Sequence, residues 1–554
     1  MLRSELTKTA ITTFMLAISF LNFAAAQTGE PRIERRIDSL VQAYYEEGGP
    51  GIAVSVVREG RVVYDKQVGL ANLEYGIPIT DSTVFHIASV SKQFTALAAL
   101  LLERDGKLSL EDDIKKYLPE LKDLPFKITI RQLANHTHGL ANTYELARLI
   151  GIGPTGVMSQ DQMVKILLKQ RHLNFLPGTQ YQYNNSGFAL LAEIIQRVSG
   201  KPFTEFMKDS VFAPLKMNHS LFVDDLTTVV KNKAQSYRRA ANGFGISPFN
   251  FTVVGASGLN TTPHDLGLWA MNFDNPVVGD KKLLAAMENQ SQLRSGELIS
   301  YALGQEIKSY KGLRVIFHGG GDAGYRAYLV RVPAYRLSVI ILGNSESFNP
   351  LDLSYAIIDM YLQNHEQQET LPQMPHYTNA QLKKWQGDYE IFPGSYFSII
   401  AKADSLLLKP LGSDTTYALP VIADSEFLFP GAPHSKLVFS HEGLFWHFSD
   451  FSYRCNKVSL HLPPKSTVNL QEFTGIYYND ELETSYKLVV KNNELLAVHA
   501  INPDILLHPL AKDAFFSDKS FFGRQDFIRS ATNQVVAFKL SGQNLKDVYF
   551  RKIR

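Results

Sequence analysis

The chain has 554 residues, 45% hydrophobic and 20% charged, a globular composition spread over more length than one ordinary domain needs. A net charge of +2, with no basic stripe interleaved with aromatics, excludes nucleic acid as the expected partner. The single cysteine, Cys455, excludes an internal disulfide and reads as a small buried apolar residue, so ordinary cores must hold the domains.

In chain order, the N-terminus reads first as an export signal. Arg3 and Lys8 precede an apolar stretch from Ala10 to Phe23, and Ala24-Ala25-Ala26 is a small-residue cleavage pattern. A signal peptide is therefore expected over 1–26. The mature chain then starts at Gln27, is periplasmic or secreted from a bacterium, and has no stable membrane span. Ile33 to Tyr45 reads as an amphipathic helix, and Ile52–Val57 with Val62–Gln67 as a hairpin around Glu59-Gly60. Apolar-faced helices follow over Lys92–Arg104, ended by Gly106, and Phe188–Val198, ended by Gly200. Thr262-Pro263-His264-Asp265 fits a helix start. Leu313–Phe317, Tyr325–Val332 and Leu337–Leu342 read as an antiparallel meander. Strands at both ends with helices between predict an α/β (α+β) domain over 27–370, with one antiparallel sheet and a helical subdomain.

Beyond a polar segment with Pro372 and Pro375, the pattern turns to short strands and repeats itself. Trp385-Gln386-Gly387-Asp388-Tyr389 matches Phe473-Thr474-Gly475-Ile476-Tyr477, Leu406-Leu407 matches Leu495-Leu496, and Phe427 matches Phe515. Two small antiparallel β-barrels (lipocalin-like) are expected, over 382–463 and 467–554. The glycine-bearing Ser440 to Gly443 turn is a candidate for reaching the cleft mouth.

Three segments carry chemistry. Ser89-Val90-Ser91-Lys92 is an S-x-x-K at a helix start, and residues three apart share a helix face. That puts a nucleophile beside an amine, with the helix N-terminus favouring developing negative charge. Ser91 reads as a first-turn helix residue. Tyr183-Asn184-Asn185 stands before the next apolar helix. A Tyr hydroxyl beside a lysine relays protons, and an Asn amide orients substrate; equally, Asn185 and Ser186 suit an N-cap and Tyr183 suits packing. His318-Gly319-Gly320-Gly321 follows an apolar strand, where glycines let substrate lie along a strand edge and the Gly321 N–H serves an oxyanion.

The order S-x-x-K, Y-x-N, H-x-G resembles the serine β-lactamase-related and penicillin-binding-protein superfamily, over about 32–365. Asn135-His136-Thr137-His138-Gly139-Leu140, Pro177-Gly178 and Gly258-Leu259-Asn260-Thr261-Thr262 are also similar to stretches of that family. The resemblance implies an acyl-enzyme on Ser89, acid–base work shared by Lys92 and Tyr183, substrate binding by Asn185, His318 and Gly320, and an oxyanion hole from the N–H groups of Ser89 and Gly321. It implies no metal and no cofactor, and a small peptide, ester or β-lactam as substrate. His138 stands where the family usually has Ser, and His318 where K-T-G enzymes have Lys, which points away from class C β-lactamase and toward the D-aminopeptidase and DD-peptidase branches. The D-aminopeptidase branch also implies two C-terminal eight-stranded barrels. Two rivals are weighed against this reading. His136-Thr137-His138 has the H-x-H spacing of a zinc site but lacks the Asp-His that should follow, and no H-E-x-x-H occurs. A non-catalytic peptidoglycan- or peptide-binding protein is the other. Oligomeric state is not legible.

Overall fold

The computed structural model describes residues 33–153, 155–362, 375–432, 435–448, 451–464 and 468–554. The leader expected over 1–26 lies outside them. The chain forms two compact units. Among the described residues, one comprises 33–110, 195–291 and 298–362; the other comprises those of 111–194, 292–297 and 375–554.

The first unit is built on a six-stranded antiparallel sheet in the order Glu306–Tyr310, Leu313–Asp322, Tyr325–Val332, Leu337–Gly343, Ile52–Arg58, Arg61–Val68. N- and C-terminal strands therefore meet at its centre, where Ile52–Arg58 pairs with Leu337–Gly343. The hairpin turn falls at Glu59 and Gly60, both with positive φ (53° and 79°), the geometry that suits the strand twist. Side chains alternate across this sheet. Ile52, Val54 and Val56 join Val339, Ile341, Val330 and Phe317 in one core, sealed by Ile37 and Val41 from the N-terminal helix and by Leu353, Ile357 and Ile358 from Pro350–Tyr361. The intervening residues of Ile52–Arg58 are buried too, against the helix Pro263–Asp274. Thr262 caps that helix by accepting the Asp265 N–H at 3.2 Å, as its sequence predicts.

The second unit contains a helical part (111–194) and the strand-rich C-terminal region. Residues 475–552 form a closed eight-stranded barrel. Residues 387–458 form nine strands rather than eight, because Pro420 splits one run into Tyr417–Leu419 and Val421–Ala423, the two ends of a nearly closed sheet. The repeat has a physical basis. In one copy the Tyr389 hydroxyl donates to the Trp385 carbonyl at 2.8 Å, and in the other Tyr477 donates to Phe473 at 2.9 Å. In both, a Cβ on the intervening glycine, Gly387 or Gly475, would collide with a lysine side chain, Lys457 or Lys552, at 2.5 Å. Cys455 is buried in the core of the first copy, and burial pushes its thiol up to about 12.

The closed barrel packs on the helical part. The Tyr486 hydroxyl donates to the Leu149 carbonyl at 3.0 Å and Asn502 donates to that of Arg148 at 2.7 Å. The turn after the strand Val535–Gly542 accepts at the Asn544 carbonyl from Asn174 (3.0 Å) and from the Asn142 N–H (3.3 Å). In the other copy the Ser440 to Gly443 turn is braced by Arg454, which donates to the Glu442 carbonyl at 2.9 Å. No helix among the described residues is long and apolar enough to cross a membrane.

Candidate active site

Ser89 sits in a 3₁₀ turn, Ala88–Ser91, that runs directly into the helix Lys92–Arg104. Ala88 holds φ = 46°, a left-handed conformation that costs a non-glycine residue ~1–2 kcal/mol. The strain is held by two hydrogen bonds, Ile87 N–H to the Leu259 carbonyl (3.0 Å) and Val90 N–H to the Ile87 carbonyl (3.2 Å). It leaves Ser89 partly exposed in an otherwise buried run. Ser91 is fully buried, and its Oγ accepts the Leu259 N–H at 3.2 Å, which ties the helix start to the strand Leu259–Thr261.

Lys92 follows three residues after Ser89, and its Nζ lies 2.9 Å from Ser89 Oγ and 2.8 Å from the Ala256 carbonyl. The side chain is 0% exposed. Burial brings the ammonium down to about 7, against the opposing pull of the Asp322 carboxylate. A lysine held near that value can lose its proton close to neutral pH, and an uncharged amine beside a hydroxyl is chemically able to accept a proton.

The glycine-rich segment ends the strand Leu313–Asp322. Its neighbour Glu306–Tyr310 stops pairing at Glu306↔Phe317, while on the other side pairing continues through Gly319↔Tyr328, Gly320↔Ala327 and Gly321↔Arg326. Residues 318–322 therefore present one edge without a strand neighbour among the described residues. Gly320 is required for a reason other than substrate contact. A Cβ there would lie 2.3 Å from the Ile87 carbonyl oxygen and 3.2 Å from the Ser89 nitrogen, so its missing side chain lets the strand press on the nucleophile turn.

His318 precedes these glycines on the same strand. It is buried, its Nδ1–H donates to the Gly319 carbonyl at 2.6 Å, and Nε2 is left to accept the hydroxyl of buried Tyr301 at 2.9 Å. Burial and the neighbouring Lys92 push it down to about 3. The ring is neutral and both nitrogens have protein partners, so it brings no charge to a substrate carboxylate. It braces the strand.

Tyr183 and Asn185 belong to the second unit. The Tyr183 ring packs tilted against that of His136, with centroids 4.4 Å apart, and His136 Nδ1 accepts the Asn184 N–H at 3.2 Å. Asn184 is the structural member of the triplet: it donates to the Leu140 carbonyl at 2.6 Å and accepts the Ser186 N–H at 2.8 Å. Asn185 opens the helix Asn185–Ser199, with its N–H given to Asn142 Oδ1 at 2.8 Å. His138 is buried and neutral, pushed down to about 3, with Nδ1 accepting the Leu140 N–H at 3.0 Å. Gly187 makes room for it, since a Cβ there would lie 2.7 Å from His138 Nε2. The two imidazoles of His136-Thr137-His138 thus each spend Nδ1 on a loop N–H.

Sequence reasoning missed three residues beside the nucleophile. His86 Nε2 lies 3.0 Å from Asp322 Oδ2 and 3.1 Å from Ser257 Oγ, and Ser257 donates to the same carboxylate oxygen. The adjacency of Asp322 to Gly321, and of His86 to the S-x-x-K, is the available signal.

A partly exposed serine hydrogen-bonded to a buried lysine, under a glycine-rich strand end, is the site of a serine hydrolase. The chain belongs to the Beta-lactamase family, whose model matches residues 34–359. The D-aminopeptidase of Gluconobacter oxydans (strain 621H) is 29% identical over 316 residues, 57% of this chain and 59% of that protein, so the match spans well under two thirds of the relative. Among solved structures, the octameric penicillin-binding protein homologue from Pyrococcus abyssi superposes with a TM-score of 0.55 at 22% identity, covering 84% of this chain and 98% of that one. The D-amino acid amidase from Ochrobactrum anthropi SV3, complexed with L-phenylalanine amide, gives 0.50 at 20% identity, covering 60% and 100%. Both structural likenesses speak to the fold.

Proposed function

We propose that this serine hydrolase is exported and forms an acyl-enzyme on Ser89 with an amide of a D-amino-acid-containing peptide, in the manner of a D-aminopeptidase or DD-peptidase. The observation that carries the chemistry is the 2.9 Å contact between partly exposed Ser89 and buried Lys92. Neutral Lys92 takes the Ser89 proton as Oγ attacks the carbonyl carbon, and the N–H groups of Ser89 and Gly321 receive the oxyanion. Tyr183 carries a proton to the leaving amine, Asn185 orients the acyl portion, and water completes the cycle by the reverse proton route. The substrate class is supported by the 29% identity to a D-aminopeptidase, and export by the leader-like segment over 1–26.

The test is a comparison of D-alanine p-nitroanilide, its L enantiomer, p-nitrophenyl acetate and a chromogenic cephalosporin. Turnover of the D-anilide at least about tenfold faster than the L form is expected, and that ratio corresponds to ~1.4 kcal/mol of transition-state discrimination. Equal rates for the enantiomers, or turnover of the cephalosporin alone, overturn the substrate class while leaving the serine chemistry in place.

A further inference from the structure

The cluster His86–Ser257–Asp322 has the composition of a catalytic triad but a different geometry. A relay needs the carboxylate on one imidazole nitrogen and the hydroxyl on the other. Here a single nitrogen, His86 Nε2, faces both Asp322 Oδ2 (3.0 Å) and Ser257 Oγ (3.1 Å), and the hydroxyl donates to the carboxylate itself. Ser257 is buried, so it is no second nucleophile. The arrangement is a carboxylate gripped by two donors.

What it grips matters. His86 lies three residues before Ser89, Ser257 follows the Ala256 carbonyl that accepts from Lys92, and Asp322 follows Gly321. The three residues join the three segments that carry the nucleophile, the lysine's acceptor and the oxyanion strand. We propose that Asp322 is a positioning residue of the Ser89 reaction: through His86 and Ser257 it clasps those three segments together and holds a fixed anion against the segment that leads into Ser89 and Lys92.

The surroundings agree. His86 is 2% exposed and packed against the rings of Phe249 (4.5 Å) and Tyr325 (5.5 Å), while the Asp322 side chain is 11% exposed. Asp322 opposes the downward effect of burial on Lys92. The other titratable groups nearby do not replace it. His318 is neutral, Lys233 lies over the Tyr325 ring at 5.9 Å and is itself pushed down by burial, and Arg326 answers to Glu346 before Asp322.

The inference rests on Ser89 acylation but on no particular substrate. The experiment is therefore the second-order rate of labelling by a fluorophosphonate between pH 5 and 9, on the full chain. In that step Ser89 Oγ bonds to phosphorus, fluoride leaves, and Lys92 takes the proton. Wild type should show an acid limb near 7, where the Lys92 amine loses its proton. Asp322→Asn removes an attraction that favours the ammonium, so the limb should move to lower pH by about 1 unit, and Asp322→Glu should move it back. Ser257→Ala keeps the anion but loosens it: the plateau should fall several-fold with the limb unmoved. An Asp322→Asn limb at the wild-type position, or a wild-type plateau in Ser257→Ala, overturns the proposal, each variant being checked for a cooperative melt. Loss of the D-anilide preference would refute the substrate class without touching this profile. An unlabelled wild type would overturn the serine mechanism and the clasp together.

Discussion

Gly320→Ala isolates the contact between the glycine-rich strand and the nucleophile turn. The added methyl would lie 2.3 Å from the Ile87 carbonyl oxygen, where ordinary contact begins at 3.4 Å. The atoms it meets are backbone, including Ser89 N at 3.2 Å, so no flexible side chain yields. The strand and the turn must separate by about 1 Å, enough to misplace a reacting oxygen by an amount that costs on the order of 10² in rate. Overpacking of this kind costs stability about 1–3 kcal/mol, so the variant should fold with a lowered Tm. Gly319→Ala is the internal control, because its Cβ would meet only the Tyr328 ring, at 3.4 Å. The assay is kcat/KM on a p-nitrophenyl ester for both variants, with melts alongside. A ~10²-fold loss in Gly320→Ala beside a loss under about threefold in Gly319→Ala is expected. Equal losses, or none at Gly320, would refute the argument that this glycine exists to seat the strand on Ser89.

Two further outcomes follow from the site. Tyr183→Phe should lower kcat/KM by about 10²–10⁴ for an amide, and by less for an aryl ester whose leaving group needs no proton; equal losses on both would argue that Tyr183 only packs on His136. Asn142→Ala should lower kcat by several-fold. It removes the acceptor of the Asn185 N–H and a donor to Glu145, a carboxyl whose pKa burial raises. Unchanged kinetics in Asn142→Ala would show that the loop holds its shape without that bracing.

How much was legible depended on sequence distance. Ser89 and Lys92 are three residues apart across the 3₁₀ turn and the helix start, so local spacing puts the hydroxyl beside the amine. The helix Lys92–Arg104 was legible because its apolar face and terminal glycine are local signals, and the hairpin at Glu59-Gly60 because its turn chemistry is. The barrel repeat was legible because Trp385-to-Tyr389 and Phe473-to-Tyr477 make the same bond across four residues. The His86–Ser257–Asp322 clasp was not, since its members are 65 to 236 residues apart and meet only through the fold. The neutral state of His318 was equally hidden. It depends on Tyr301, which nothing in the H-x-G pattern mentions, and on burial. The barrel contacts were hidden for a similar reason: both barrels carry glycine-bearing hairpin turns, and packing alone decides that Gln543 and Asn544 meet Gln182, Asn174 and Asn142.

The central claim, that Ser89 is the acylated residue and Lys92 its proton acceptor, is tested most directly by mass spectrometry of the full-length protein after fluorophosphonate treatment at pH 8. One adduct per chain is predicted, on the peptide bearing Ser89. It should be absent in Ser89→Ala, slowed by about 10²–10⁴ in Lys92→Ala and retained in Ser91→Ala. An adduct on Ser91 or Ser257, or full labelling of Ser89→Ala, would contradict it.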